Sequence, residues 1–249
     1  MAKPAQTPIV QTHCTDCPIR HRAVCSYADR DQLDHLNAIK YYKTYEPGQE
    51  VVAAGEETTA IGSVVEGVVS LSKTMADGRR QMVGLMFPSD FIGRPNTPRA
   101  PYDAVAVTHV TLCLFPRPRF ERLLVETPAL ERRLLEITLN ELDAARDWML
   151  LLGRKTAREK IATFLTILAR RAAALESKQP EDGLRIALPI TREAIGDYLG
   201  LTMETVSRQM TALRKAGVIE LEDVRHLTVP DFAALLDEAG EDADGGMVD

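Results

Sequence analysis

The sequence lacks the long apolar segments that anchor a chain in a membrane or direct it out of the cell. No part of its 249 residues approaches the roughly 18 consecutive apolar residues of a membrane-spanning helix. No apolar run precedes a small-residue cleavage site near the N-terminus, so no signal peptide is indicated. We therefore expect a cytoplasmic protein without membrane contact, in a compartment where structural disulfides are rare.

Basic residues are outnumbered, but the excess of acid is concentrated at one end. The chain has 30 Lys and Arg against 36 Asp and Glu. Seven of the acidic residues and no Lys or Arg lie in residues 231–249, which predicts a solvated acidic tail. Residues 154–215 instead hold 12 Lys and Arg against 7 Asp and Glu, a balance compatible with a nucleic-acid partner.

Cysteine is scarce, yet three of the four cysteines form a C-x2-C-x7-C pattern at Cys14, Cys17 and Cys25, with Cys113 far away. Because the segment around them is polar, we do not expect buried core thiols. Four interpretations are open: scattered structural cysteines, a redox Cys-x-x-Cys pair, a zinc site and an iron–sulfur cluster. A redox pair normally lies between a strand and a helix, unlike this loop. Spacing alone does not separate zinc from iron–sulfur.

Residues 105–115, which contain Cys113, alternate as a strand does. Val110, Leu112 and Leu114 would point to one face and Cys113 to the other. A ligand on that second face could meet the N-terminal loop and tie it to the body of the protein. Gain or loss of a bound metal would then change the tertiary structure.

Short apolar runs separated by turn residues fill residues 45–115. Asp77 and Gly78 lie between the runs 68–73 and 81–86, which predicts a hairpin. The spacing of runs and turns predicts a small β-barrel or jelly roll.

The stretch that follows, from Thr127 to Gly153, predicts a helix of roughly 25 residues. Thr127 is placed to cap its start, Pro128 suits the first helical position, and Gly153 suits the position just past the end. Apolar and small residues recur with a period of 3.5, typical of two helices packed side by side as a homodimer. The alternative is a helix packed on its own domain. The seam residues are Leu135, Thr138, Leu142, Ala145, Met149 and Leu152.

Two short helices joined by a glycine-containing turn come next, the pattern of a helix-turn-helix. We expect the first to be capped by Thr191 and to end near Gly200. The second is expected to be capped by Thr202 and to run to Gly217. Residues 218–220 and 226–229 can pair as a β-wing.

The exposed face of the second helix carries Glu204, Ser207 and Arg208. Arg can bond guanine O6 and N7, Glu can accept from cytosine N4, and Ser can bond either kind of base edge. All three lie in the first two turns, the part of a recognition helix that enters the major groove. The alternative is a solvated ion pair between Glu204 and Arg208.

These motifs together resemble the CRP/FNR transcription regulators along nearly the whole chain, and FNR-type oxygen sensors in particular. The resemblance rests on the cysteine pattern, on residues 88–93 and 195–202, and on the E-x-x-S-R pattern at residues 204–208. It implies an α+β chain with an N-terminal β-barrel or jelly-roll sensor domain, a long dimerisation helix and a C-terminal winged helix-turn-helix domain.

The resemblance also implies one [4Fe–4S] cluster per subunit, lost in oxygen. With the cluster, a homodimer would bind double-stranded DNA at an inverted repeat of TTGAT type, contact RNA polymerase and regulate genes of low-oxygen metabolism. The implied cluster ligands are Cys14, Cys17, Cys25 and Cys113. The implied half-site readers are Glu204, Ser207 and Arg208.

Two departures from the family pattern matter. Relatives that bind cyclic nucleotide carry a Gly-Glu and an Arg-Ser pair in the barrel, whereas Gly93 here precedes Arg94 and no Arg-Ser pair follows at Arg99 and Ala100. We therefore expect no cyclic nucleotide. Ala145 aligns where some relatives hold an acidic residue that opposes dimerisation, so the monomer–dimer switch is expected to be weaker or set differently.

The expected divisions are a cysteine-rich segment at 1–30, the β-roll at 31–126, the dimerisation helix at 127–153, the winged helix-turn-helix at 154–230 and the acidic tail. We expect a regulator rather than an enzyme. One alternative is a zinc-stapled regulator of CRP type that senses another signal. The other is a thiol-disulfide oxidoreductase that uses Cys14 and Cys17.

Overall fold

The computed structural model describes residues 12–240, beginning with an irregular cysteine-containing segment. Two 3₁₀ turns, Cys14–Asp16 and Val24–Tyr27, precede helix α1 (Arg30–Ile39). A capping box starts α1: the Asp29 carboxylate accepts from the N–H of Gln32, and the Gln32 side chain accepts from the N–H of Asp29. The cysteine segment therefore lies against a helix that is fixed at its start.

The sensor region is a roll of two antiparallel four-stranded sheets packed face to face, which confirms the predicted jelly roll. The sheets have the orders β1-β8-β3-β6 and β2-β7-β4-β5. Val64, Val110 and Leu112 are fully buried between them. The strands are β1 (Tyr41–Tyr45), β2 (Glu50–Val52), β3 (Ala60–Glu66), β4 (Val69–Thr74), β5 (Arg80–Met86), β6 (Phe91–Ile92), β7 (Asp103–Ala106) and β8 (Val110–Pro116).

The predicted single strand over residues 105–115 is wrong, because the chain bends at residues 107–109 and passes from one sheet to the other. The alternation of its second half is nevertheless confirmed. Leu112 and Leu114 face the interior of the roll, while Cys113 and Phe115 face outward into a second apolar cluster.

Helix α2 (Arg117–Glu126) leads directly into α3 (Pro128–Arg154), whose 27 residues confirm the predicted long helix. Its ends differ from expectation. The Thr127 side chain makes no capping hydrogen bond, because this residue is buried in the tight junction with α2. Gly153 lies inside the helix, since the chain leaves through the extended residue Lys155, which needs no left-handed glycine.

The structure of the C-terminal domain confirms the predicted winged helix-turn-helix. The Thr191 hydroxyl accepts from the N–H of Ala194, and the Thr202 hydroxyl accepts from the N–H of Thr205, each at 3.2 Å. Gly200 ends the first helix in the left-handed conformation at φ 66°. The elements are α4 (Ala157–Leu175), β9 (Leu184–Ala187), α5 (Arg192–Leu199), α6 (Met203–Lys215), β10 (Glu220–Leu221), β11 (His226–Val229) and α7 (Phe232–Ala239).

The expectation of a solvated tail from residue 231 is wrong for its first part, because Phe232–Ala239 form helix α7. Asp231 caps this helix, and Leu235 is fully buried in the core of the C-terminal domain. Lys155 also donates a hydrogen bond to the Ala239 carbonyl at 2.9 Å. Residues 241–249 of the predicted tail lie outside the described residues. None of the helices within residues 12–240 has the length and apolarity needed to cross a membrane.

The roll and the C-terminal domain meet through a shared apolar cluster, which includes Val68, Leu85 and Phe87 of the roll, and through specific polar contacts. Gln81 donates to the Asp197 carbonyl at 2.9 Å, and Arg171 pairs with Asp90 at 2.6 Å. On the α3 side, the rings of Trp148 and Tyr198 stack with their centroids 4.1 Å apart. A cavity of about 660 Å³ remains between the domains.

Gly62 lies on β3, where this strand packs closely against the part of β8 that carries Cys113. A Cβ at this position would lie 1.9 Å from the Cys113 carbonyl oxygen, so Gly62→Ala must displace the strand that carries this cysteine. We expect a loss of about 1–3 kcal/mol in the free energy of unfolding measured in urea. Gly84→Ala is the matched control, because its Cβ would meet side-chain atoms no closer than 3.5 Å. Equal losses in both variants would contradict this account.

Candidate cysteine site and DNA-reading face

The four cysteines come together in one apolar cluster outside the roll. Cys14 and Cys113 are buried, at 5% and 8% exposure, and Cys17 and Cys25 pack against the same cluster. The expectation that these thiols avoid the core is therefore wrong: polar neighbours in sequence do not prevent burial when Ile19 and its apolar neighbours carry the segment onto β8 and α1. All four cysteines are free thiols.

Burial shifts the ionisation of these thiols. It raises the pKa of Cys25 to about 11, with the nearby Cys17 adding to the shift. Burial also raises the pKa of Cys113, with further increases from Cys14 and Cys17. Because Cys14 and Cys17 affect the pKa of Cys113, the thiols from the two parts of the sequence lie close enough to interact electrostatically. Low-pKa thiolates are typical of redox pairs, so this environment does not favour a thiol-disulfide enzyme.

The site has features of both a metal centre and a plain apolar cluster. Within residues 12–240, no three His, Cys, Asp or Glu side chains converge closely enough to hold one metal ion. Two cations lie nearby, however. Lys40 Nζ is 3.6 Å from Cys14 Sγ, and Arg20 is near enough to lower the pKa values of three of the cysteines.

The cysteine segment contacts α3 directly, a connection that no sequence pattern indicated. Arg133 Nη2 donates to the Arg22 carbonyl at 2.8 Å, and the Arg133 guanidinium lies 5.3 Å from the centre of the Tyr27 ring. On the other side of the segment, Asn37 Oδ1 accepts from the Cys14 N–H at 3.3 Å. The segment is therefore held between α1 and the first third of α3.

The predicted seam lies exposed along α3, whereas Leu130 and Leu151 on the opposite side of this helix are fully buried. The helix thus packs on its own chain with one face and leaves the other apolar face uncovered. Leu139, at 50% exposure, belongs to this stripe and was missed, because it falls outside the strict period. The exposed seam residues are Leu135 (58%), Leu142 (46%), Met149 (65%) and Leu152 (38%), together with Thr138 and Ala145.

Helix α6 presents the predicted reading side chains on its solvent face. Glu204 and Arg208 are exposed and Ser207 is half-buried. No ion pair joins Glu204 to Arg208 in the described structure; instead Arg208 donates to the Thr205 hydroxyl at 3.3 Å. Hydrogen bonds from its own backbone N–H and from Thr202 lower the pKa of Glu204, so its carboxylate remains ionised and able to accept. Val206, Met210 and Leu213 form the buried face of α6, as the sequence predicted.

Comparisons with known proteins agree with this architecture. Residues 42–127 match the model of the cyclic nucleotide-binding domain, and residues 159–238 match the Crp-like helix-turn-helix domain. The chain is 54% identical over 242 residues to the transcriptional activator protein FnrL of Cereibacter sphaeroides, covering 97% of this chain and 98% of that protein. It is 41% identical over 208 residues to the nitrogen fixation regulation protein FixK of Bradyrhizobium diazoefficiens, covering 84% and 86%.

A solved structure gives the same result. FixK2 from Bradyrhizobium japonicum matches with a TM-score of 0.72 and 32% identity, covering 82% of this chain and 98% of that one. Both domains and the connection between them are therefore shared with regulators of known fold. The chain belongs to the CRP/FNR family of DNA-binding transcription regulators.

Proposed function

We propose that this protein is a cytoplasmic, oxygen-responsive transcription activator that binds one [4Fe–4S] cluster per subunit. Its ligands are Cys14, Cys17, Cys25 and Cys113. The observation that carries the proposal is that these four thiols, from segments about 90 residues apart, lie in one buried cluster. The similarity to FnrL, an activator by its name, supports the direction of regulation.

The chemistry of the site favours a cluster over zinc. Four thiolates are the usual ligand set of a [4Fe–4S] cluster, in which each thiolate bonds a different iron. A zinc ion instead needs all its ligands within about 2.3 Å of a single point. No three His, Cys, Asp or Glu side chains among the described residues converge in this way, so the preference for a cluster rests on the complete set of four thiols. When bound, the cluster would supply an oxygen-labile link between the N-terminal segment and β8.

The contacts of the segment suggest how that link reaches the dimer seam. Cys14 and Cys25 flank Arg22, whose carbonyl accepts from Arg133, and Tyr27, whose ring also contacts Arg133, lies two residues beyond Cys25. With its cysteines bound to the cluster, the segment holds the first third of α3 in place. Leu135 lies two residues beyond Arg133 and begins the exposed seam. Release of the segment would therefore act on α3 at the start of its pairing surface.

Pairing of two seams would position the α6 helices of the two subunits to bind DNA. We propose that Leu135, Leu142, Ala145, Met149 and Leu152 form the homodimer interface. Two reading helices related by a twofold axis meet half-sites about one helical turn apart, which requires an inverted repeat. Glu204, Ser207 and Arg208 would read a half-site of TTGAT type. The bound dimer would contact RNA polymerase at genes of low-oxygen metabolism.

We also propose that the roll binds no cyclic nucleotide, although it has the fold of that domain. At the position where binding relatives carry an Arg-Ser pair, the Arg99 guanidinium donates to the Gly55 carbonyl at 2.8 Å. The neighbouring Ala100 offers no hydroxyl. The polar groups that hold a cyclic phosphate are thus missing or already bonded.

The cofactor is tested first by the absorption spectrum of protein purified without oxygen. We expect a brown protein with broad absorption near roughly 400 nm that bleaches as air is admitted, from charge transfer between sulfur and iron. Cys113→Ala should abolish this absorption, because one of the four ligands is lost. A wild-type protein that stays colourless even after reconstitution would indicate that the cysteines bind zinc. It would also contradict oxygen sensing by a cluster.

Arg133→Met tests the connection between the cysteine segment and α3. We expect the variant to keep its absorption spectrum but to dimerise more weakly in anaerobic sedimentation, because the contact with Arg22 and Tyr27 is lost. Arg132→Met is the matched control: it removes the same charge from an exposed neighbouring position. If Arg133→Met dimerised like wild type, the cluster would have to act on α3 by another route.

Arg208→Ala tests the reading face. A bidentate contact to guanine contributes about 1–3 kcal/mol of base discrimination, so the variant should lose that amount per half-site. Binding to the inverted repeat and to single-base variants is compared by anaerobic titration at one salt concentration. If binding weakened equally on all sequences, Arg208 would be a phosphate contact instead.

A further inference from the structure

Lys40 is the one side chain among the described residues that donates a hydrogen bond to a cysteine sulfur. It ends α1, where its backbone N–H donates to the Leu36 carbonyl at 3.0 Å. Its Nζ lies 3.6 Å from Cys14 Sγ, within hydrogen-bond range for the large sulfur atom, and also donates to the Thr12 carbonyl. The ammonium is therefore directed at the thiol by the geometry of a helix end.

The surroundings of Lys40 hold it in this position. Its ammonium lies 5.2 Å from the centre of the Tyr42 ring, and the Tyr42 hydroxyl donates to the same Thr12 carbonyl at 3.3 Å. Tyr42 in turn pairs with Cys113 across β1 and β8. Lys40 is thus tied to both parts of the chain that contribute cysteines.

The other nearby cation differs in its bonding. The Arg20 guanidinium donates to the carbonyls of Ser26 and Ala28 at 2.7 and 2.9 Å, so it organises the backbone of the cysteine segment. Lys40 instead donates to a sulfur as well as to a backbone carbonyl, that of Thr12.

We propose that Lys40 is a positioning residue that slows oxidation of the bound cluster, through its hydrogen bond to Cys14 and its fixed positive charge. The inference rests on the proposed function. Oxidation of a bound cluster by dioxygen would transfer one electron from the cluster to dioxygen, which would become superoxide, and the cluster would become more positive by one unit. A neighbouring ammonium disfavours that change, and hydrogen bonds to ligand sulfurs likewise shift cluster potentials.

Lys40→Met tests the proposal, with Lys43→Met as the matched control. Lys43 is exposed on the opposite face of β1, where its ammonium lies 4.7 Å from the centre of the Tyr45 ring. In air-saturated buffer we expect Lys40→Met to bleach about threefold faster or more, with a lower midpoint potential, and Lys43→Met to match wild type. Lys40→Arg should restore slow bleaching, and Lys40→Gln should not.

The outcomes separate this inference from the function on which it rests. A cluster whose potential and bleaching rate are the same in wild type and Lys40→Met would overturn the role of Lys40 alone. A wild-type protein that takes up no cluster would overturn both. If Lys40→Met assembles no cluster, Lys40→Arg and Lys40→Gln still test the proposal, because only the Arg variant keeps the positive charge. Equal bleaching rates in these two variants would then overturn the role of that charge.

Discussion

The packing of the cysteine segment against the outer face of β8 is the contact on which the rest of the structure depends. It gives Cys113 its neighbours, covers the start of α3 and fixes the position of α1. The packing leaves no room for a side chain at position 62, because β3 lies too close to β8 there. A change at the cysteines would therefore displace the neighbouring strands, because no empty space beside β8 could absorb it.

Helix α3 connects that local contact with the exposed apolar stripe and with the C-terminal domain. One face of the helix packs on its own chain, and the other leaves an apolar stripe from Leu135 to Leu152 uncovered. Near its far end Trp148 stacks on Tyr198 of the helix-turn-helix. A helix of 27 residues is about 40 Å long, so a small rotation at Arg133 moves both the seam and the reading domain.

Local chemistry explains which parts of the molecule the sequence predicted well. Thr191, Gly200 and Thr202 are signals that act within one turn of helix, and the structure has all three in their expected roles. The contact of Arg133 with Arg22, and the burial of Cys14 among apolar side chains, join segments far apart in sequence. Such contacts leave no periodic signal in the chain. The capping role of Thr127 failed for a related reason, because its junction with α2 removed the free helix end that a cap would serve.

The energetics of the segment explain why a cofactor would control it. Ordering each residue costs roughly 1–2 kcal/mol, and a single hydrogen bond such as that from Arg133 returns only about 1 kcal/mol. Ile19 and Val24 are buried, but most of their neighbours between Cys14 and Ala28 are small or polar. Metal–thiolate bonds at structural sites contribute on the order of 10 kcal/mol, far more than any of these contacts. A segment held mainly by a cofactor would be released when that cofactor is lost, whereas a segment with a larger apolar face would stay bound.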